Sequence, residues 1–191
     1  FALRLSEGTD KEGTDRTLTA KDFAMRSFRK SVSGEVSTYA FLLENKELEI
    51  AVKVCYELSP HWAYIRKYLE VTSQAPLVLE QVDVESMAVA DACQNYRLKQ
   101  ITTRKSGGWK PGFGQPVYTT QTATFWGMEF PAASNTVADG LLSCGYASGR
   151  ALLANHPYTT YCSVVGVADD KDFIDEAFYD YIAQIRKRPL R

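Results

Sequence analysis

Neither sign of charge dominates this chain: 22 lysines and arginines stand against 23 aspartates and glutamates in 191 residues, for a formal net charge of -1. A dedicated nucleic-acid domain carries a basic excess, so that class is excluded. Long apolar runs are missing too. The longest, such as Cys162 to Ala168, have strand length and fall far short of the roughly 18 residues that span a bilayer. Cysteine is sparse and scattered at Cys55, Cys93, Cys144 and Cys162, with no CxxC and no Cys/His cluster, which argues against a zinc site and leaves disulfides open. Histidine is limited to His61 and His156. No glycine-rich loop follows a strand and opens a helix, so a nucleotide site has no support and no cofactor is expected. No N-x-Ser/Thr acceptor occurs, and the chain opens on Phe1 with neither an initiator methionine nor a signal segment. That start reads as a chain trimmed, processed or cut from something longer.

What is present is a core. With 45% hydrophobic and 12% aromatic residues, the composition describes one globular domain. A chain of this size buries roughly 70% of the surface that it exposes unfolded, enough to fold without disulfides or metals. From Leu48 to Leu58, Leu48, Ile50, Val52, Val54, Tyr56 and Leu58 alternate with Glu49, Ala51, Lys53, Cys55 and Glu57, the period-two signature of a strand with one buried face. Thr38 to Leu43 lies just upstream across the polar break Glu44 to Glu47, which predicts an antiparallel pair. Further strands are expected at Ala63 to Thr72, Leu77 to Val84 and Val117 to Phe130. Gly140 to Leu153 and Tyr158 to Ala168 read as a pair turning at Ala154 to Pro157. The polar, basic stretch Asp91 to Gln115 reads as a long loop with a short strand at Arg97 to Thr103.

One helix is expected, at the end. Asp169 or Asp170 can cap it, Asp172, Asp175 and Glu176 occupy its early turns, and Phe173, Ala177, Phe178, Tyr181, Ile182 and Ile185 recur at helical spacing. Arg186 to Arg188 complete the last turn before Pro189. Strands at short spacing with one terminal helix predict an antiparallel β-sandwich over 1–168, with helix and exit over 169–191.

Several stretches carry a likeness: VKVCYEL at Val52 to Leu58, IRKYLEVTS at Ile65 to Ser73, LEQVDVESM at Leu79 to Met87, FWGMEFP at Phe125 to Pro131, and the tail SVVGVADD followed by FIDEAFYDYIAQIRKRPLR from Phe173 to Arg191. Together they resemble the N-terminal β-sandwich of multidomain retaining glycoside hydrolases of the α-galactosidase-like group, a supersandwich related in shape to galactose mutarotase. The resemblance covers about the last two thirds of the chain; residues 1–36 match nothing in it. It implies a non-catalytic module of a carbohydrate-active enzyme that packs on and supports a (β/α)8 barrel of the same protein. That barrel needs about 250 residues, so the catalytic carboxylates would lie outside this chain. It also implies an exported, secreted or periplasmic, parent. A free-standing carbohydrate-binding module and a mutarotase-like epimerase are the alternatives.

The residues offer four candidates for carbohydrate binding or a domain interface. In a strand, Trp126, Met128 and Phe130 share the core face, while Phe125, Gly127 and Glu129 share the other. A carboxylate beside an aromatic ring suits a sugar, whose hydroxyls and apolar C–H face need those two partners. The plainer account pairs Glu129 with a base at a domain contact and has Gly127 relieve crowding. Trp109 and Phe113, in the glycine-rich run Gly107 to Gly114, either form a sugar-stacking platform or anchor their loop. Epimerisation would need a carboxylate base and a histidine acid, yet His61 and His156 sit beside prolines in turn-like contexts. Asp83 and Glu85 read as two acids on a solvated strand face, too few for calcium. Arg97, Lys99, Arg104, Lys105 and Lys110 read as a solvated face rather than a nucleic-acid groove.

Overall fold

The alternation between Leu48 and Leu58 has a direct structural result: Ile50, Val52 and Val54 are almost completely buried, and their strand pairs along its whole length with the one before it. The computed structural model describes residues 1–7, 15–90, 93–95, 114–119, 121–154 and 156–185. In chain order the strands are β1 (Ala2–Glu7), β2 (Arg16–Thr19), β3 (Ala24–Ser33), β4 (Val36–Asn45), β5 (Ile50–Leu58), β6 (Tyr64–Ser73), β7 (Leu77–Ala88), β8 (Cys93–Asn95), β9 (Val117–Thr119), β10 (Thr124–Met128), β11 (Ser134–Ala138), β12 (Leu141–Ala151), β13 (Tyr158–Thr159) and β14 (Ser163–Val167). The helix α1 (Ile174–Ile185) follows.

They form two antiparallel sheets. The smaller runs β11-β12-β7-β1-β2; the larger runs β3-β4-β5-β6-β14-β10-β9-β8, with β13 also on β6. Between them lies a core that includes Leu3, Leu5, Ile50, Val52, Leu69, Val71, Leu79, Val82 and Leu142. Met128 belongs to it and Trp126 and Phe130 pack against it, as the alternation predicts. The chain is therefore a β-sandwich with one C-terminal helix.

Besides a strand, β8 at Cys93–Asn95 on β9, inside the stretch read as a loop, the structure corrects the sequence expectations in four places. Residues 1–36, which matched nothing, supply β1, β2 and β3. Val117 to Phe130 is two strands rather than one, turning at Ala123, whose φ of 48° lies in the left-handed region. Gly140 to Leu153 and Tyr158 to Ala168 do not pair as strands: β12 joins β7 in the small sheet and β14 joins β6 and β10 in the large one, with an isolated bridge, Leu153 to His156, within the turn. Their turn carries the chain from one layer to the other.

The fourth correction is Glu85, which is buried. On β12, Cys144 and Gly145 are neighbours, but they face Glu85 and Asp83, leaving Val84 as the extra residue of a bulge. A bulge breaks the period of two, so Val84 and Glu85 are both buried in succession. Glu85 then accepts hydrogen bonds from the Lys67 ammonium of the opposite sheet at 2.7 Å and from the Ser163 hydroxyl at 2.8 Å. The Lys67 and Glu85 side chains are only 7% and 9% exposed. Ions so placed are costly to desolvate, and removing one partner leaves the other uncompensated.

Lys67→Met should therefore lower stability in urea by about 3–5 kcal/mol, whereas Lys67→Met with Glu85→Leu should recover most of the loss. A single variant as stable as the parent would show that the pair is not buried between the sheets.

Candidate functional site

The outer face of the large sheet, turned away from the core, carries the chemistry. On β10 it presents Phe125 and Gly127, with Glu129 just beyond the strand; on β14, Val164 and Gly166; on β6, Tyr64 and Arg66. Helix α1 lies over them. Asp170 caps the approach to that helix, accepting from the Asp172 amide through a single 3-10 turn at Lys171–Phe173, while Asp175 and Glu176 fill the first helical turn. Ile174 and Tyr181 are the buried residues of α1, and they join Tyr64, Phe125 and Val164 in a second apolar cluster beneath the helix.

Phe125 is 1% exposed. Its ring lies between sheet and helix, 5.4 Å from Phe178 and 5.9 Å from Tyr181, centroid to centroid. The space that it fills exists because its cross-strand partner is Gly166; a methyl group added there would overlap the ring. Phe125 thus holds the helix and offers no ring face to a sugar. Gly127 differs, since an added Cβ would meet Phe178 and Pro116 at 3.8 Å, ordinary contact, so crowding does not demand glycine there.

Glu129 is the polar centre of the seam. Arg66 donates to both of its carboxylate oxygens, from Nε at 2.6 Å and a terminal nitrogen at 3.0 Å, and the Tyr181 hydroxyl of α1 donates to the first oxygen at 2.6 Å. Arg66 also donates to Glu57 at 2.6 Å and to the Cys162 sulfur at 3.3 Å. This two-pronged pairing, with 24% and 18% of the side chains exposed, is a strong form of ion pair. The hydrogen bond to Glu129 stabilises the charged guanidinium. Burial, and then the bond to Glu129, push the Tyr181 phenol well above its usual range. Burial, with the Glu129 charge adding, pushes the Cys162 thiol up to about 12. Cys162 is held as an unreactive thiol.

Beside the seam is a cleft of 370 Å³ between α1 and the ends of β6 and β14, lined by His61, Tyr64, Phe173, Glu176, Asp180 and Gln184 among others. His61 is 71% exposed at its side chain and lies 3.4 Å from Glu35, on the rim. His156 is exposed in the inter-layer turn. The two histidines are not brought together with Glu129. Of the four candidate residues, Phe125 and Glu129 meet at the seam, while Trp109 and Phe113 lie outside the described residues. The proposed strand at Arg97 to Thr103, the basic cluster Arg97 to Lys110 and the helix end at Arg186 to Arg188 lie outside them as well. Arg66 and Tyr181, the partners of Glu129, were not singled out from the sequence. The signal available was Tyr181 on the apolar face of the helix, a phenol whose hydroxyl needs a partner when buried. Among the described residues no cluster of three or more metal-ligating side chains occurs, and no helix is long and apolar enough to cross a membrane.

A two-sheet antiparallel sandwich with a helix on the outer face of its larger sheet has counterparts among solved structures. The α-galactosidase of Lactobacillus brevis aligns over 95% of this chain and 31% of its own length, with a TM-score of 0.63 and 11% identity. The GH36 α-galactosidase AgaA of Geobacillus stearothermophilus, as a variant in complex with stachyose, aligns over 93% of this chain and 31% of its own, with a TM-score of 0.61 and 10% identity. AgaB of the same organism aligns over 88% and 30%, with a TM-score of 0.55. The chain thus spans about a third of the length of these proteins, and what it resembles is their N-terminal β-sandwich domain. Domains of this fold sit there within larger enzymes. No protein-family model matches the chain, and no curated protein does.

Two outcomes are expected at the seam. Tyr181→Phe removes a hydrogen bond to a carboxylate and should cost about 1.5–3 kcal/mol in urea denaturation, with α1 becoming cleavable by protease before the sheets. Cys162 stays neutral in the folded chain to about pH 12, but its thiol in an unfolded chain titrates near 9.0. Its contribution to stability is therefore complete below pH 9 and lost as pH rises from 9 toward 12, with Tyr181 acting in the same direction. Cys162→Ser should flatten that decline, and an unchanged alkaline profile would count against it.

Proposed function

We propose that this chain is a non-catalytic β-sandwich module of a carbohydrate-active enzyme, a glycoside hydrolase, which packs on and supports a catalytic barrel of the same protein. The observation that carries the reading is the extent of the structural likeness. A fold that fills 88–95% of this chain accounts for only 30–31% of each α-galactosidase compared.

The chemistry of the seam supports the same reading. A general acid or nucleophile must be free to meet its substrate, whereas both oxygens of Glu129 are engaged by Arg66 and one also by Tyr181. The seam anchors a helix. Phe173 in the turn before α1, Tyr179 on α1 and Val167 at the end of β14 are more than half exposed, the kind of apolar surface that a covering domain removes from water. In this reading α1 and its packing on the sandwich set the angle at which the catalytic part sits.

Two measurements test it. Coding sequence adjoining the segment for this chain should show the alternating strand and helix pattern of a barrel of about 250 residues. Its absence on both sides would overturn the proposal. The purified chain should hydrolyse p-nitrophenyl α-galactoside, raffinose and stachyose no faster than buffer; turnover that disappears in Glu129→Gln would make the chain itself the enzyme.

A further inference from the structure

The large sheet has a second feature on its outer face, separated from the helix by the Glu57–Arg66 pair. It is a trough of 550 Å³ across β3, β4, β5 and β6. Strand register explains its shape. Arg29 faces Ala40, Ala40 faces Cys55, and Cys55 faces Tyr68, so one row of directly opposed residues crosses four strands. With strands about 4.8 Å apart, the row is roughly 14 Å long, the span of two sugar rings. Its middle members are small and make a low floor, while arginine and tyrosine rise at the two ends.

The flanking rows add polar groups. Ser31 faces Thr38 on one side, and Ser27 lies on the other with Leu42 and Lys53, all lining the trough. Its cations are not equivalent. Lys53 is held by Glu70 at 3.0 Å. On the same strand as Arg29, Arg26 is held by Glu44 at 2.7 Å. Arg29 is in no ion pair among the described residues. At the far end, Tyr68 lines the trough across from Cys55.

We infer that this trough binds an acidic saccharide, a sugar bearing a carboxylate such as a uronate. The guanidinium of Arg29 takes the carboxylate through its planar fork, a match that a lysine could not reproduce. The Ser27, Ser31 and Thr38 hydroxyls, which both donate and accept, meet sugar hydroxyls. The Tyr68 ring supplies the apolar contact for a C–H face. A simple anion would use only the first of these three groups, and a neutral sugar only the other two. The site lies apart from the helix seam, and the inference stands whether or not a barrel accompanies this chain.

Calorimetric titration of the chain with galacturonic acid, galactose and inorganic phosphate separates the possibilities. Galacturonic acid should bind with a dissociation constant on the order of 1 mM, as suits a small exposed ligand. Galactose and phosphate should each bind about tenfold more weakly. Arg29→Gln should bring galacturonic acid down to the level of galactose, and Arg29→Lys should fall between. Arg29 is an exposed residue on an edge strand, so circular dichroism should show both variants folded as the parent is. Any of three results would overturn the inference: no saturable binding at tens of millimolar, phosphate binding as tightly as galacturonic acid, or Arg29→Gln leaving the affinity unchanged.

Discussion

Arg66 stands where three parts of the molecule meet. Its guanidinium reaches Glu57 on the neighbouring strand, both oxygens of Glu129 beyond β10, and the sulfur of Cys162 just before β14. Tyr181 of the helix completes the group by donating to the same Glu129. Everything on the outer face is arranged about this pair. The helix is clamped on one side of it and the open trough lies on the other. An arginine suits the position because its planar fork satisfies two carboxylates at once, which a point charge cannot do.

The clamp works only because the apolar contact beneath it closes. Phe125 occupies the volume that a side chain at Gly166 would take, and its ring then meets Phe178 and Tyr181 of the helix. On the inner side of the sheet, Lys67 and Glu85 join the two layers through a pair that is nearly dry. Each face of the large sheet thus carries an ion pair that fixes a different partner: Lys67–Glu85 holds the small sheet inside, and Arg66–Glu129 holds the helix outside. With both of its oxygens engaged, Glu129 serves this seam as an anchor.

Much of this could be read from residue order. The β4–β5 hairpin followed from the alternation of Leu48 to Leu58, the helix from its periodic apolar face and acidic start, and the core side of β10 from Trp126, Met128 and Phe130. Other features could not be read. Within residues 1–36, charged and small residues hide β3, because that strand is exposed along its whole length and shows no buried face to its neighbours in sequence. Glu85 looked solvated because the bulge at Val84, which turns it inward, depends on how β12 pairs with β7.

Local chemistry by itself determined that this chain makes strands with one buried face and a capped terminal helix, since period, capping and helix polarity act between residues close in sequence. It also showed that Phe125 and Glu129 share a face. Only the tertiary structure decided what that face meets. Arg66 lies 63 residues before Glu129, and Tyr181 lies 52 after it. The pairing arises from sheet order and from the landing of a helix, and no local signal encodes either. The same reason separates β12 from β14: adjacent strand-like segments can pair or cross between layers, and the outcome rests on which distant strand offers the better edge.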